Sequence, residues 1–172
     1  MLEEILDIVD ETDLVIGSAT RGEIHSSGLL HRSAHLLVFD GNGMVILQKR
    51  SMMKDTFPGT WDSSVSGHVD SGEEYDDCII RETMEEIGFS LSMVPEKMFK
   101  IDACEETGNE FSWVYRIFCK GPFMPNEEEI SELKWFSFND VNRALSANSE
   151  FFSPAFSLIW KIMQDNRHLE SS

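Results

Sequence analysis

The sequence predicts an α/β (α+β) fold in which a mixed β-sheet is covered by α-helices. Short apolar runs of strand length are interspersed with longer amphipathic segments, without the regular alternation of a βαβ repeat. The sharpest local pattern is a hairpin. The apolar runs 35–39 and 44–48 flank Asp40-Gly41-Asn42-Gly43, a turn made of glycine and short polar residues.

The individual elements follow from the same kinds of pattern. Strands are predicted at residues 14–19, 35–39, 44–48, 61–66, 99–103, 113–118 and 133–136, and helices at residues 73–87, 140–145 and 154–164. Ser71 and Glu74 fit a capping box for the first helix, and Ser153-Pro154 fits the start of the last. Residues 20–30 are predicted to be irregular, and Phe57-Pro58-Gly59-Thr60 to form a turn.

Length and composition restrict the function. The 172 residues suit one domain, spanning 1–172, and 14 Lys+Arg against 31 Asp+Glu give a net charge of −17. This acidity disfavours a nucleic acid polymer as partner, and an anionic substrate needs a cation between it and the protein. No apolar run is long enough to span a membrane. The three cysteines form no CxxC pair and are expected to be free thiols in the cytoplasm.

The helix predicted at residues 73–87 carries the chemistry. At about 100° per residue, Glu82, Glu85 and Glu86 share one face, which is expected to point outward. Apolar side chains such as Met84 and Ile87 lie opposite and are expected to pack inward. Like charges this close repel one another unless a divalent cation lies between them. Ligands that are all oxygens favour Mg²⁺ or Mn²⁺.

The spacing of residues 67–89 resembles a known motif, the Nudix box of nucleoside-diphosphate-linked-moiety hydrolases. Its fixed positions are occupied by Gly67, Glu73, Arg81, Glu82, Glu85, Glu86 and Gly88. A chance match at all of them is rare, at roughly 10⁻⁸ per start position from average amino-acid usage. The one departure is Thr83, where the family usually has an aliphatic residue.

The resemblance implies a Nudix fold, with a mixed sheet sandwiched between helices, and a Mg²⁺-dependent pyrophosphatase that acts on a small-molecule diphosphate. Glu82, Glu85 and Glu86 would bind the metal together with the backbone carbonyl of Gly67. The catalytic residues would be Glu82, Glu85 and Arg81, with Arg81 orienting the carboxylates and Glu82 available as general base. A homodimer is one open outcome, because small members of the family often dimerise.

The resemblance leaves some participants undecided. Family members often place a further carboxylate in a later loop, and the candidates here are Glu127, Glu128, Glu129 and Glu132. Basic residues before the box are candidates for contact with substrate phosphate, or for a solvated surface role: Lys49, Arg50 and Lys54.

Outside the box, much of the chain resembles isopentenyl-diphosphate isomerase and its hydrolase-like relatives. The segments that carry this resemblance are 21–25, 31–32, 54–61, 64–68 and 152–154. Isomerases have a catalytic cysteine where this chain has Ser66, and their box is degraded, whereas here it is complete. Aligned on residues 115–118, the two carboxylates that isomerases carry on a later strand are replaced by Phe111 and Trp113.

Three histidines match ligands of the isomerase metal site: His25, His31 and His68. Without the later carboxylates, structural or substrate-contacting roles are favoured over metal binding for them. A hydrolase is therefore the preferred interpretation, and its substrate is left open. Two alternatives remain: an isopentenyl-diphosphate isomerase, disfavoured by Ser66, and a non-catalytic Nudix domain that senses a nucleotide, disfavoured by the complete box.

Overall fold

The computed structural model describes the backbone of residues 2–170 and the side chains of residues 2–167. Its strands are β1 (Ile5–Val9), β2 (Val15–Thr20), β3 (His31–Phe39), β4 (Met44–Arg50), β5 (Trp61–Asp62), β6 (Val65–His68), β7 (Glu96–Ile101), β8 (Glu110–Phe118) and β9 (Ile130–Ser137). Its helices are α1 (Arg21–Ser27), α2 (Tyr75–Ile87), α3 (Phe138–Ala147) and α4 (Pro154–Glu170), with a short 3₁₀ helix at Ser149–Phe151.

One 7-stranded sheet organises the fold, in the order β5-β4-β3-β8-β7, with β6 also paired to β3 and β9 to β4. β3 and β8 run parallel, with His31 opposite Glu110, whereas the other strand pairs of this sheet are antiparallel. The hairpin predicted around residues 40–43 is confirmed, because Val38 pairs with Ile46 across that turn. β1 and β2 form a separate antiparallel hairpin.

Helices cover both faces of the large sheet, and the alternation of side chains along β3 shows why. Leu36 belongs to the cluster under α2, together with Ile79 and Ile87. Its neighbour Leu37 points to the opposite face and joins the cluster under α3 and α4. The predicted α+β class, a mixed sheet sandwiched between helices, is therefore confirmed.

Helix α4 begins as its sequence predicts. The hydroxyl of Ser153 accepts a hydrogen bond from Phe156 N at 3.1 Å, and Pro154 is the first helical residue. The apolar stripe of the helix is buried, at Phe156, Ile159, Trp160 and Met163. Within residues 2–170, no helix is both long and apolar enough to cross a membrane.

The N-terminal region differs most from the sequence prediction. The predicted strand 14–19 is present as β2, but no local pattern indicates its partner β1. The expectation of irregular structure at residues 20–30 is wrong, because α1 lies there, opened by a capping box between Thr20 and Glu23. Ile24 is its one buried residue, so this helix has no apolar periodicity for a sequence pattern to show.

The capping box expected at Ser71 and Glu74 is also wrong. Helix α2 begins at Tyr75, and the side chain of its N-cap Glu74 makes no capping hydrogen bond. Ser71 Oγ instead donates to Asp7 Oδ1 at 2.8 Å. The Ser71 hydroxyl is therefore hydrogen-bonded to a carboxylate of the distant strand β1 and does not cap the helix as the local pattern predicts.

The strand predicted at residues 61–66 is divided into β5 and β6. Ser63 and Ser64, which lie between them, are fully buried. Ser63 Oγ is hydrogen-bonded to His35 Nδ1 at 3.0 Å, and Ser64 Oγ accepts from Val38 N at 2.9 Å. Hydrogen bonds to β3 therefore bend the chain here. β5, before the bend, pairs with β4, whereas β6, after it, pairs with β3.

Candidate active site

A cleft of about 860 Å³ lies beside the first residues of β3 and is bounded by β6, α1, α2 and the loop that carries Lys54 and Phe57. This volume suits a small-molecule site. Two groups of titratable side chains line the cleft. The carboxylate cluster consists of Glu82, Glu85 and Glu86, and the histidine cluster consists of His25, His31, His68 and Glu110.

The carboxylate cluster does not face outward as the helical pattern predicts. Glu82 and Glu86 are 8% and 5% exposed, whereas Met84, predicted to pack inward, is 48% exposed. Only Glu85 is exposed as expected. The buried residues of α2 follow a helical repeat in which these two acids occupy positions that an ordinary core helix fills with apolar side chains. Two acids of the box therefore lie on the inner face of α2, among its buried side chains.

Hydrogen bonds from the sheet explain how acids can occupy this face. Glu86 Oε1 accepts from Ser66 N at 2.8 Å and from Gln48 Nε2 at 3.1 Å. Burial, reinforced by the charge of Glu82, raises the pKa of Glu86 well above its usual range. Burial also raises the pKa of Glu82 to about 7, against the opposing charge of Arg81. The two carboxylates resist being ionised together, and a divalent cation would relieve that repulsion.

Arg81 joins the acids of the box into one network. Its Nε and Nη2 donate to the two oxygens of Glu73, both at 2.9 Å. Its Nη1 donates to Glu82 at 2.8 Å and to Glu85 at 3.1 Å. Hydrogen bonding to Glu73 is the main cause of the raised pKa of Arg81. Arg81 therefore stays charged and holds two of the three cluster carboxylates from one side.

Gly67 allows α2 to approach β6 closely. A Cβ atom at this position would lie 2.1 Å from Glu82 Cδ, so the Glu82 carboxylate would have to leave its position. The carbonyl oxygen of Gly67, a predicted metal ligand, lies 3.8 Å from Cys78 Sγ and so is turned towards α2. The glycine of the box is thus required by the position of the Glu82 side chain.

The cleft also carries basic side chains, each paired with an acid. Lys54 pairs with Glu129, and Arg50 Nη1 lies 3.4 Å from Asp62 Oδ2. Both basic residues line the cleft, as expected for phosphate contacts, whereas Lys49 is not part of the lining.

The loop between β8 and β9 supplies one carboxylate to the cleft. Glu129 lines it and accepts a hydrogen bond from Lys54. The loop is attached to α2, because Asn126 N donates to Glu86 O at 2.8 Å. The other predicted candidates are exposed and lie outside the lining: Glu127, Glu128 and Glu132.

The histidine cluster is more complete than the sequence indicates. The potential ligand atoms of its four residues all lie within 4.8 Å of one another. Glu110 Oε1 lies 2.8 Å from His68 Nε2 and 3.3 Å from His31 Nε2. The expectation that the three histidines lack a carboxylate partner is therefore wrong.

Strand pairing explains the error. Alignment on residues 115–118 assigns the carboxylate positions to Phe111 and Trp113, but both pack against the core under α2. Strand β8 begins at Glu110, one residue before Phe111. Its parallel register with β3 places Glu110 opposite His31. An acid at the start of a strand is visible in the sequence, but its role depends on this register.

Opposite charges dominate the histidine cluster. Burial alone would lower the pKa of His68, but the charge of Glu110 and its hydrogen bond outweigh burial and raise that pKa to about 9. Burial would raise the pKa of Glu110, but the charge of His68 holds it well below its usual range. Burial, and then the charge of His68, lower the pKa of His25. His31 Nε2 is buried without a well-aligned hydrogen bond to any residue in 2–167, so it is available as a metal ligand.

Glu4 is a cleft residue that no sequence pattern indicates. Its Oε2 lies 3.5 Å from Arg21 Nε and 3.8 Å from His68 Nδ1. It stands among several acids at the N-terminus, so only the packing of β1 and α1 against the cleft distinguishes it.

A family model of the NUDIX domain matches residues 29–155. The chain therefore belongs to the Nudix family, and the resemblance drawn from residues 67–89 is confirmed. It is a Nudix pyrophosphohydrolase of the branch that resembles isopentenyl-diphosphate isomerase, in a family that generally uses a divalent metal.

Several relatives match most of the chain. It is 39% identical to an uncharacterised Nudix hydrolase of Streptomyces coelicolor, over 79% of this chain and 74% of the relative. It is 32% identical to a prenyl-diphosphate phosphatase of Methanosarcina mazei, over 86% and 87% of the two chains. It is 35% identical to isopentenyl-diphosphate Delta-isomerase 2 of Photorhabdus laumondii, over 86% and 85%.

Solved structures agree on the fold. The crystal structure of DR0079 from Deinococcus radiodurans matches with a TM-score of 0.80 and 23% identity, covering 94% of this chain and 98% of that one.

Proposed function

We propose that this protein is a Mg²⁺-dependent Nudix hydrolase that cleaves a diphosphate linkage in a small molecule. The observation that carries the proposal is the pair of buried acids, Glu82 and Glu86, which face the cleft from the helix of a complete Nudix box. Burying two neighbouring carboxylates is unfavourable unless protons or a cation neutralise them. A divalent cation bound between the two carboxylates would neutralise them and remove this unfavourable contribution.

The donor set of the carboxylate cluster fits Mg²⁺, because it consists of oxygens alone. We propose Glu82, Glu85, Glu86 and the carbonyl of Gly67 as the residues that hold the ion, and Mn²⁺ suits the same set. When bound, the ion supplies positive charge to the diphosphate and makes water more acidic.

The side chains of the protein then have separate roles. Arg81 orients Glu82 and Glu85 through the hydrogen bonds described above. Glu82 is the proposed base that takes the proton from the attacking water. Lys54 is the proposed phosphate contact, and Glu129 is the proposed further carboxylate of the later loop, supported by its place in the cleft.

A prenyl diphosphate is the more specific substrate that one observation favours. Phe57 is 51% exposed, lines the cleft and belongs to the same loop as Lys54. Its backbone φ of +48° lies in the left-handed region, which bulky residues rarely adopt. An apolar ring that lines the same cleft as the Lys54 ammonium group suits a substrate with an apolar chain and a diphosphate head. The name of the Methanosarcina mazei relative agrees with this substrate.

The isomerase alternative depends on Ser66, since Glu110 is present. A hydroxyl is far less acidic than a thiol and is a poor proton donor to an alkene. In heavy water with isopentenyl diphosphate, we expect no dimethylallyl isomer and no deuterium bound to carbon by mass spectrometry. Deuterium uptake by the wild-type protein would make isomerisation the activity of this site.

A substrate panel tests the proposed function directly. Nucleoside di- and triphosphates, nucleotide sugars, dinucleotides and prenyl diphosphates are incubated with Mg²⁺, and phosphate release and product identity are measured. We expect at least one class to be hydrolysed, and only while a divalent cation is present. Turnover that persists after exhaustive chelation contradicts the proposal. Tight binding of a nucleotide without turnover favours the sensing alternative.

Three further expectations accompany the proposal. We propose a cytoplasmic location, because Cys78, Cys104 and Cys119 are free thiols that suit a reducing compartment. We also propose a single domain over residues 1–172, supported by Val9 of β1, which shares a core cluster with Ile79 of α2. A homodimer stays a prediction, to be tested by analytical ultracentrifugation.

A further inference from the structure

The hairpin β1–β2 lies before residue 29, where the match to the family model begins, yet it touches the loop of the Nudix box. Leu6 forms an isolated bridge with Asp70, and Ser71 N donates to Ile5 O at 2.8 Å. The loop that precedes α2 is therefore held along one edge by the N-terminal strand.

Asp7 makes the most specific of these contacts. It is 8% exposed, and both of its carboxylate oxygens are directed at the loop. Oδ1 accepts from Ser71 Oγ at 2.8 Å, and Oδ2 accepts from Gly72 N at 3.1 Å. A buried carboxylate with both oxygens hydrogen-bonded to one turn fixes the position of that turn, because any displacement leaves a buried acceptor unsatisfied.

The turn at Gly72 needs such support. Its φ is +81°, which glycine adopts freely, but glycine adopts negative φ values about as readily. The residue thus permits the turn without selecting it. The two hydrogen bonds to Asp7 select it from outside.

Short contacts lead from this turn to the carboxylate cluster. Asp70 N donates to Glu73 Oε2 at 3.0 Å, which orients the Glu73 carboxylate. Glu73 binds Arg81 through both oxygens at 2.9 Å. Arg81 in turn donates to Glu82 and Glu85. Each step is a charged or buried hydrogen bond, so the position of the turn is transmitted to the acids that face the cleft.

We infer that Asp7 is a positioning residue for the carboxylate cluster, acting through the Ser71–Gly72 turn, Glu73 and Arg81. This inference rests on the proposed function, in which that cluster binds Mg²⁺. The β1–β2 hairpin is accordingly a support of the site as well as a part of the core. If Asp7 only stabilised the fold, its loss would lower the melting temperature and leave the site geometry of the folded molecules unchanged.

The test compares Asp7→Ala with Asp10→Ala in the full chain. Asp10 is a matched control, because its Oδ1 accepts from Thr12 N and Leu14 N at 2.8 and 3.0 Å in the turn of the same hairpin, away from the box loop. Two quantities are measured: the exchange rate of the Arg81 Nε–H by NMR without metal, and the Mg²⁺ dissociation constant by calorimetry. Mg²⁺ is used because it prefers oxygen ligands to histidine.

In Asp7→Ala we expect both quantities to rise by about threefold to tenfold, which corresponds to the loss of one or two buried hydrogen bonds. Asp10→Ala should lower the melting temperature and change neither quantity. Equal values in Asp7→Ala and wild type, or equal changes in both variants, would overturn the inference.

Ser71→Ala covers the case in which Asp7→Ala does not fold. It removes the hydrogen bond to Oδ1 from an exposed position, and a smaller change of the same sign is expected. No change in Ser71→Ala would overturn the inference. If the wild-type protein binds no Mg²⁺, the proposed function fails, while the Arg81 exchange rate still decides whether Asp7 positions the network.

Discussion

The carboxylate cluster and the histidine cluster share one cleft but differ in how their charges are balanced. Burial raises the pKa values of Glu82 and Glu86, and the two carboxylates resist being ionised together. Glu110 faces His68 at 2.8 Å, and each group shifts the pKa of the other towards its charged form. The acids of the first cluster outnumber the one positive charge that contacts them, that of Arg81, whereas in the second the charge of His68 faces that of Glu110.

This difference predicts which protons a metal ion has to displace when it binds to each cluster. An ion at the carboxylate cluster replaces a proton that Glu82 holds weakly near neutral pH, since its pKa is about 7, and one that Glu86 holds more tightly. An ion at the histidine cluster has to displace the proton of His68, whose pKa is about 9. The carboxylate cluster is therefore the better site for Mg²⁺, and the histidine cluster favours a softer metal at higher pH.

Neutralising one acid of the carboxylate cluster should have the largest effect. Glu82→Gln and Glu86→Gln should each lower turnover by roughly 100-fold or more, because each removes a proposed ligand or base. Their melting temperatures in chelator should hold or rise, since the repulsion between the two buried carboxylates is removed. Steady-state kinetics and thermal unfolding measure both effects. Glu127→Gln, exposed outside the cleft, is the control that should keep wild-type turnover. Near-normal turnover in both test variants would show that the cluster is not catalytic.

Removing the Glu110 carboxylate from the histidine cluster should lower the pKa of His68. Ring-proton NMR in chelator should give a His68 pKa of about 9 in the wild type and a lower value in Glu110→Gln, where Glu4 is the remaining acid beside His68 that opposes burial. Because the folded pKa is raised, the stability that His68 gains is fully present below pH 6.5 and is lost as the pH rises through about 9. The melting-temperature advantage of wild type over Glu110→Gln should shrink across that interval. A wild-type His68 that titrates near 6.5 would remove the contrast between the clusters.

Mg²⁺ should stabilise the protein through the carboxylate cluster alone. At a 100-fold excess over the dissociation constant, binding contributes about 2.7 kcal/mol. For a chain of this size, that raises the melting temperature by about 5–10 °C. Differential scanning fluorimetry should show this shift in His25→Ala and should not show it in Glu86→Gln. A shift that His25→Ala abolishes would place Mg²⁺ at the histidine cluster instead.

The smallest effect is expected at Lys54. Lys54→Met should raise KM by about threefold to tenfold with little change in kcat, because one charged contact to substrate phosphate is lost in both ground and transition states. Lys49→Met removes the same charge outside the cleft lining and should leave KM unchanged. Equal effects of the two substitutions would indicate general electrostatic attraction in place of a contact.

The box could be predicted because its contacts are local. Arg81 finds Glu73 and Glu82 within one loop and one helix, so their spacing in the sequence carries the arrangement. The direction in which the helix faces could not be predicted in this way. Helical periodicity shows which residues share a face, but Glu86 is buried because Ser66 N and Gln48 meet it there.

The parts that escaped prediction depend on pairing between distant segments. Glu110 joins the histidine cluster through the register of β8 against β3. Asp7 reaches Ser71 from a strand that no local pattern indicates. The mixed sheet itself was predictable from short apolar runs and the turn at residues 40–43, because those signals lie within a few residues of one another.

The parallel pairing of β3 with β8 also determines when the cleft can form during synthesis. Five elements leave the ribosome between β3 and β8: β4, β5, β6, α2 and β7. β8 must then enter the sheet between β3 and β7. Pairing between segments this far apart in the chain is a slow step in folding. Until it occurs, His31 lacks its partner Glu110, whereas β4 and β6, which supply Gln48 and Ser66 to Glu86, have already left the ribosome. The histidine cluster is therefore a late product of folding, and Trp113, on the inserted strand, offers a fluorescence signal for the moment at which the cleft closes.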